Sequence, residues 1–175
     1  MTSEGVVQGR VVQVHRKPKR GRERGIPKQV APALTLTPHG VEGDFNRWRT
    51  EKAGGDPDQA VLLLSDEILA ELRAEGWPVQ RGELGENLTV AELPSDLFNP
   101  GVRLRIGEVV LEVSKPCQPC TVLYSLPYVG LDRGPRFIRA LQGRRGWFAR
   151  VLQGGIVQPE MIVEIDNAVH PIPVA

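Results

Sequence analysis

Two cysteines stand in the 175-residue chain, three positions apart in the segment SKPCQPC: Cys117 and Cys120, each preceded by a proline. Thiols at that spacing are compatible with four chemistries. They could form half of a metal clip, a redox pair, one reactive thiolate beside an inert neighbour, or two small apolar side chains in a turn. A tetrahedral zinc site needs four ligands, and the three histidines, His15, His39 and His170, are scattered singly. No structural zinc is therefore expected. A thioredoxin-like pair opens a helix after a parallel strand; here Pro116 and Pro119 flank the pair after a hairpin strand, the wrong order of elements for that fold. Burial as inert thiols is the common fate of free cysteines. Against it stands position, because a cysteine in a proline-bounded turn at the mouth of a strand is well placed to present sulfur to a ligand.

Cations are the second chemical resource. Residues 16–28, RKPKRGRERGIPK, carry seven Lys/Arg against one Glu, leaving about −5 for the rest of a chain whose net charge is +1. A second basic zone holds Arg133, Arg136, Arg139, Arg144, Arg145 and Arg150 and meets no acid between Asp132 and Glu160. Each run reads either as a solvated face or as an anion site, since guanidinium groups make planar, bidentate contacts to phosphate.

The elements that must position these groups are short. GVVQGRVVQVHR alternates around Val7, Val12 and Val14 and predicts an opening strand; ALTLTPHGVEGD predicts a second strand entering a glycine turn. Ala60–Leu64 predicts a buried strand. Ser65 then caps a helix whose first turn carries Asp66 and Glu67, whose apolar face is Ile68, Leu69 and Leu72, and which stops at Gly76 and Pro78. GVRLRIGEVVLEVSKP predicts a hairpin turning at Gly107-Glu108 in type II′ geometry. A further helix fits GPRFIRALQG (134–143) and a last strand fits EMIVEID (160–166). Strands outnumber helices, which predicts an α+β, mainly β, barrel-like domain with two or three short helices.

Length and composition agree with one domain over residues 1–175, its core spanning about 5–166, large enough to bury a substantial interior. Nothing approaches the ~20 apolar residues of a membrane span, and the N-terminus lacks the order of a signal peptide. Two cysteines make no disulfide scaffold, so a reducing cytoplasm is the expected location and a membrane is not an expected partner. Aromatics are sparse, so a stacking surface for single-stranded nucleic acid is not prominent and nucleic acid is not an expected partner. A binding module using the basic loop 16–28 is the alternative in that class.

Four segments in order, HGVEGD (39–44), GELGENLTV (82–90), LRIGEVVLEVSKPCQPC (104–120) and GRRGWFARVLQGGIV (143–157), resemble the MOSC domain, named for the C-terminal domain of molybdenum cofactor sulfurases. The resemblance implies a β-rich barrel with a cleft and one family cysteine in a P-x-x-P-C pattern, matched here by Pro116, Pro119 and Cys120. It implies that Cys120 carries sulfur as a persulfide or ligates molybdenum, with the molybdenum cofactor (molybdopterin) or an anionic pterin as the group bound. At family level it also carries an association with pyridoxal phosphate. Sulfur transfer, or reduction of N-hydroxylated compounds through a separate electron donor, are the activities implied. The partners implied are a molybdoenzyme, a sulfur donor or acceptor protein and, for the reductase version, an electron-donor reductase.

By the same match Asp44 after Gly40 and Gly43, Asn87 and Thr89 in GENLT, Lys28 in GIPK, and Arg145 and Arg150 are the candidate cofactor-binding residues, with Glu86 on the cleft wall. The chain departs from the family at GDFN, where Phe45 and Asn46 replace an arginine and histidine, and at Ala53, where HGG is common. At Cys117, relatives usually carry arginine. That last change removes a charge beside Cys120 and makes Cys117 a candidate redox partner.

Overall fold

The computed structural model describes residues 6–18, 24–46, 49–50 and 54–166. Eleven strands form most of it. β1 (Val7–Arg16), β5 (Val61–Ser65), β6 (Leu88–Ala91), β7 (Arg103–Ile106), β8 (Val109–Pro116), β9 (Trp147–Gln153) and β11 (Ile162–Asp166) are hydrogen-bonded in the order β11-β7-β8-β9-β5-β6-β1, and β1 pairs back with β11. This closes a seven-stranded barrel, which leaves no free edge in that ring. β2 (Gln29–Ala31) adds to the outer half of β1, while β3 (Leu34–Thr37), β4 (Gly40–Val41) and β10 (Gly155–Val157) make a small second sheet.

Alternation fills the barrel. Leu104, Ile106, Val109, Leu111 and Val113 along the β7–β8 hairpin are at most 1% exposed, and the turn residue Gly107 has φ +58° while Glu108 does not join it in the positive region, as a type II′ turn requires. β1 departs from simple alternation. Its buried valines are Val11 and Val14, with Val12 only half-buried, because the pairing with β6 shifts register between Val11 and Gln13. Such a bulge turns the following side chains to the other face.

The β5–β6 pair is parallel and is bridged by helix α1 (Asp66–Ala74). Ser65 Oγ accepts from the Ile68 N–H, and Leu69 and Leu72 face inward. Gly76, at φ +96°, ends the helix with bonds from Gly76 N to the Arg73 carbonyl and from Trp77 N to the Leu72 carbonyl, a Schellman closure. Helix α2 spans Gly130–Ala140, a turn earlier than Pro135 suggests in the sequence. The added turn is held by packing: Gly134 lies so close under the Tyr124 ring that a Cβ would collide with it, and Phe137 is fully buried. α1, α2 and the 3-10 segment Thr121–Ser125 surround a second apolar cluster centred on Trp77 and Phe137, whose ring centroids are 4.7 Å apart.

Candidate functional site

β8 delivers the two cysteines, and its geometry separates them. Cys117 extends the strand, its N–H donating to the Gly146 carbonyl at 2.9 Å, and is 8% exposed. Burial pushes its thiol up, against a smaller opposing pull from Arg145. Cys120 is exposed, with extended backbone at φ −144° and ψ 172°. The backbone between the two is neither helix nor turn, and both thiols are free. A helical Cys-x-x-Cys motif is therefore not formed, and the more accessible sulfur is that of Cys120.

Arg145 holds that sulfur in place. It precedes β9 and is only 6% exposed. Nη1 donates to the Gln118 carbonyl at 3.0 Å and lies 3.8 Å from Cys120 Sγ; Nη2 donates to the Leu84 carbonyl at 3.1 Å. One guanidinium thus ties the 82–86 loop to the cysteine loop. The fork geometry suits this bridging, which the single ammonium of a lysine would not reproduce. Its Nε–H is buried without a partner among the described residues.

The second group lies at the mouth of β1. Lys28 Nζ reaches both oxygens of Asp44 at 2.7 and 2.8 Å, with both side chains nearly sealed from solvent. Burial draws the Lys28 ammonium below its ordinary value and Asp44 draws it back. Asp44 also accepts from the Lys17 backbone N–H at 2.7 Å and from Asn87 Nδ2 at 3.0 Å. Asn87 stitches three segments: its Oδ1 accepts from Leu62 N, and Nδ2 donates to the His15 carbonyl as well as to Asp44. These polar atoms satisfy one another, as buried groups must. The cleft beside them, lined in part by Lys28, Asp44, Gly85, Asn87 and Phe148, has a volume of about 30 Å³.

Glu86 and Thr89 complete the buried set. Glu86 is fully buried; its Oε1 accepts from Gly82 N at 2.5 Å and from Thr89 Oγ1 at 3.3 Å, and its Oε2 has no partner among the described residues. Burial pushes its carboxyl up from 4.5 to about 7. His15, beside it, is 1% exposed, shares a hydrogen bond with Gln13 Oε1 at 2.9 Å, and is pulled down from 6.5 to about 4, chiefly by burial. In the sequence Glu86 reads only as cleft wall. The signal that would have marked it is a glutamate between Gly85 and a buried strand.

Arg150 is not brought to this place. It projects from β9 into two carboxylates, Asp58 at 2.9 Å and Glu112 at 2.7 Å. Part of the basic run, residues 19–23, lies outside the described residues, and Lys28 is turned inward rather than contributing to a basic face. Among the described residues no cluster of three or more His, Cys, Asp or Glu is set to hold a metal ion.

A closed seven-stranded barrel that presents an exposed cysteine at the end of one strand, against a buried arginine preceding the next, defines a class. The MOSC domain family model matches residues 50–164, and the chain belongs to that family. It is 32% identical over 147 residues to YflK, an uncharacterised protein of Bacillus subtilis, covering 82% of this chain and 63% of that protein. It is 30% identical over 161 residues to YiiM of Escherichia coli, covering 88% of this chain and 69% of that protein. The chain thus spans about two thirds of the length of these relatives. Among solved structures, YuaD of Bacillus subtilis matches the fold with a TM-score of 0.75 at 17% identity, over 92% of this chain and 97% of that one. YiiM of Escherichia coli matches with 0.63 at 25% identity, over 93% and 72%. Lys28, Asp44 and His15 precede the matched segment, yet β1 is needed to close the barrel. No described helix is long and apolar enough to cross a membrane.

Proposed function

We propose that this MOSC protein is a sulfur carrier whose working atom is Cys120 Sγ, serving molybdenum-cofactor chemistry in a partner protein. The observation that carries the reading is the contact of an exposed thiol with a buried guanidinium, 3.8 Å from Arg145 Nη1. A guanidinium N–H at that range gives the sulfur a cationic hydrogen-bond donor, and in sulfur transfer the attacking species is the thiolate. In the step implied, the Cys120 thiolate attacks the sulfane sulfur of a donor protein's persulfide. The new S–S bond forms on Cys120 as the donor cysteine leaves as thiolate. Transfer onward reverses the roles: a nucleophilic centre of the acceptor takes the outer sulfur, and the electron pair of the broken S–S bond returns to Cys120. Arg145 faces the sulfur that attacks in the first step and that takes back the electron pair in the second, and so can stabilise charge there in both.

The residues also bear on cofactor binding. At the sulfur end they fit: Cys120 is an exposed soft donor, and the buried Arg145 guanidinium lies 3.8 Å from its sulfur. With a molybdenum cofactor bound, Cys120 would hold the metal end and the group would supply redox chemistry. Lys28 and Arg150 do not fit the phosphate end, since each is neutralised by carboxylates. The sulfur-carrier reading needs no pterin in the 30 Å³ cleft.

The test is loading from a small-molecule persulfide, followed by cyanolysis to count sulfane sulfur. Wild type and C117S should hold it and C120S should not. Equal sulfane sulfur in C120S would overturn the reading. Molybdenum and pterin retained by wild type from a molybdenum-replete host, and lost in C120S, would identify ligation as the role instead.

A further inference from the structure

Glu86 touches neither cysteine, yet it belongs to the same assembly. Residues 82–86 form a tight loop, closed by Gly85 N to the Gly82 carbonyl at 3.2 Å and by Gly82 N to Glu86 Oε1 at 2.5 Å. The Leu84 carbonyl in the middle of that loop is the acceptor for Arg145 Nη2, while Nη1 of the same guanidinium faces Cys120 Sγ. A chain of named contacts therefore runs from the Glu86 carboxyl through the loop to Arg145 and on to the sulfur. Two buried atoms in it are unpartnered among the described residues, Glu86 Oε2 and Arg145 Nε, an acceptor and a donor of complementary kind. Thr89 is placed to bias the carboxyl, because its hydroxyl bonds the same oxygen as the Gly82 N–H.

We infer that Glu86 is a positioning residue for Cys120, acting on the sulfur through the 82–86 loop and the Arg145 guanidinium. This rests on the reading that Cys120 is the reactive residue. The charged and titratable groups that face Glu86 are Arg145 from before β9, Lys28 from before β2 with Asp44 behind it, His15 on β1, and Tyr128, whose hydroxyl donates to Glu83. Lys28 is already compensated by Asp44, and His15 is neutral through the neutral range, so the uncompensated cation is Arg145. A neutral Glu86 leaves the whole of that charge to the sulfur. An ionised Glu86 competes for it across a low-dielectric interior. The switch between the two falls near neutrality, since burial lifts the carboxyl to about 7. Reactivity at Cys120 is thereby restrained as the pH rises.

The experiment is the rate of iodoacetamide alkylation at Cys120 against pH. Fragment-ion mass spectrometry separates modification at Cys120 from that at Cys117. E86Q keeps an acceptor for Gly82 N and should react about threefold faster than wild type near pH 8. Near pH 5.5, where wild-type Glu86 holds its proton, the two rates should converge. In an R145Q background the difference should vanish. T89V leaves Glu86 in place while removing one stabilising bond to its anion, and should extend the fast regime to higher pH; it decides the matter if E86Q does not fold. Identical profiles for wild type, E86Q and T89V, or one constant ratio at every pH, would overturn the inference. Alkylation reads Cys120 itself, so this outcome is separable from any failure of sulfur loading.

Discussion

At the residue scale, the site depends on polar atoms being paired with one another more than on their number. Lys28, Asp44 and Asn87 are chemically conspicuous in the sequence, but in the folded chain they form a closed network at the mouth of β1. Lys28→Met should therefore act on stability, leaving the Asp44 charge buried and uncompensated at a cost of about 3–5 kcal/mol in urea unfolding. A loss below about 1 kcal/mol would show that the pair is not sealed. Spacing and resemblance single out Cys120, Asn87, Thr89 and Arg145; Arg145 reaches Cys120, whereas Asn87 bonds Leu62, His15 and Asp44, and Thr89 bonds Glu86. What residue types cannot disclose is their partners. Arg145 and Arg150 look equivalent in GRRGWFAR, yet one reaches backbone carbonyls and a sulfur while the other faces Asp58 and Glu112. That distinction arises because Arg145 lies before β9 and Arg150 within it, beside carboxylates distant in sequence.

Elements carry the next level of control. Arg145 is aimed by the turn before β9, where Gly146 has φ +94° and so little room that a Cβ would strike the Leu63 carbonyl. Gly146→Ala should cost at least about 2 kcal/mol from the positive φ and the collision together. It should also slow Cys120 alkylation near neutral pH by displacing the guanidinium. Unchanged stability would mean that the turn relaxes freely. The hairpin β7–β8 and helix α1 were legible because each carries its own period, cap and stop signal. The β1 bulge was not, because its register is set by β6, and α2 began early because Tyr124 and Phe137 hold a turn that local propensity would not start.

For the whole molecule, two buried groups have opposite titration behaviour. Glu86, raised from 4.5 to about 7, keeps a proton that the unfolded chain gives up. Its stabilising contribution is full below pH 4.5 and is lost as pH climbs to about 7. His15, lowered from 6.5 to about 4, has the opposite sign: its contribution is present above pH 6.5 and is lost as pH falls to about 4. Between those limits the two offset each other. Asp56 and Asp66, held below the ordinary carboxylate range by hydrogen bonds from the Asp58 N–H and Arg81 respectively, act at lower pH. Wild-type stability should thus be nearly flat from about pH 4.5 to 6.5, whereas E86Q should gain about 2–3 kcal/mol across that window in urea midpoints. Parallel curves would refute the assignment. Seven closing strands were foreseeable only as a barrel-like class, since the order β11-β7-β8-β9-β5-β6-β1 is not written in local pattern. The function proposed for the molecule turns on which atom would carry sulfur. Intact-mass measurement after persulfide loading should show one added sulfur, about 32 Da, removed by C120S and retained by C117S. Added mass that survives in C120S, or that maps to Cys117, would contradict the account.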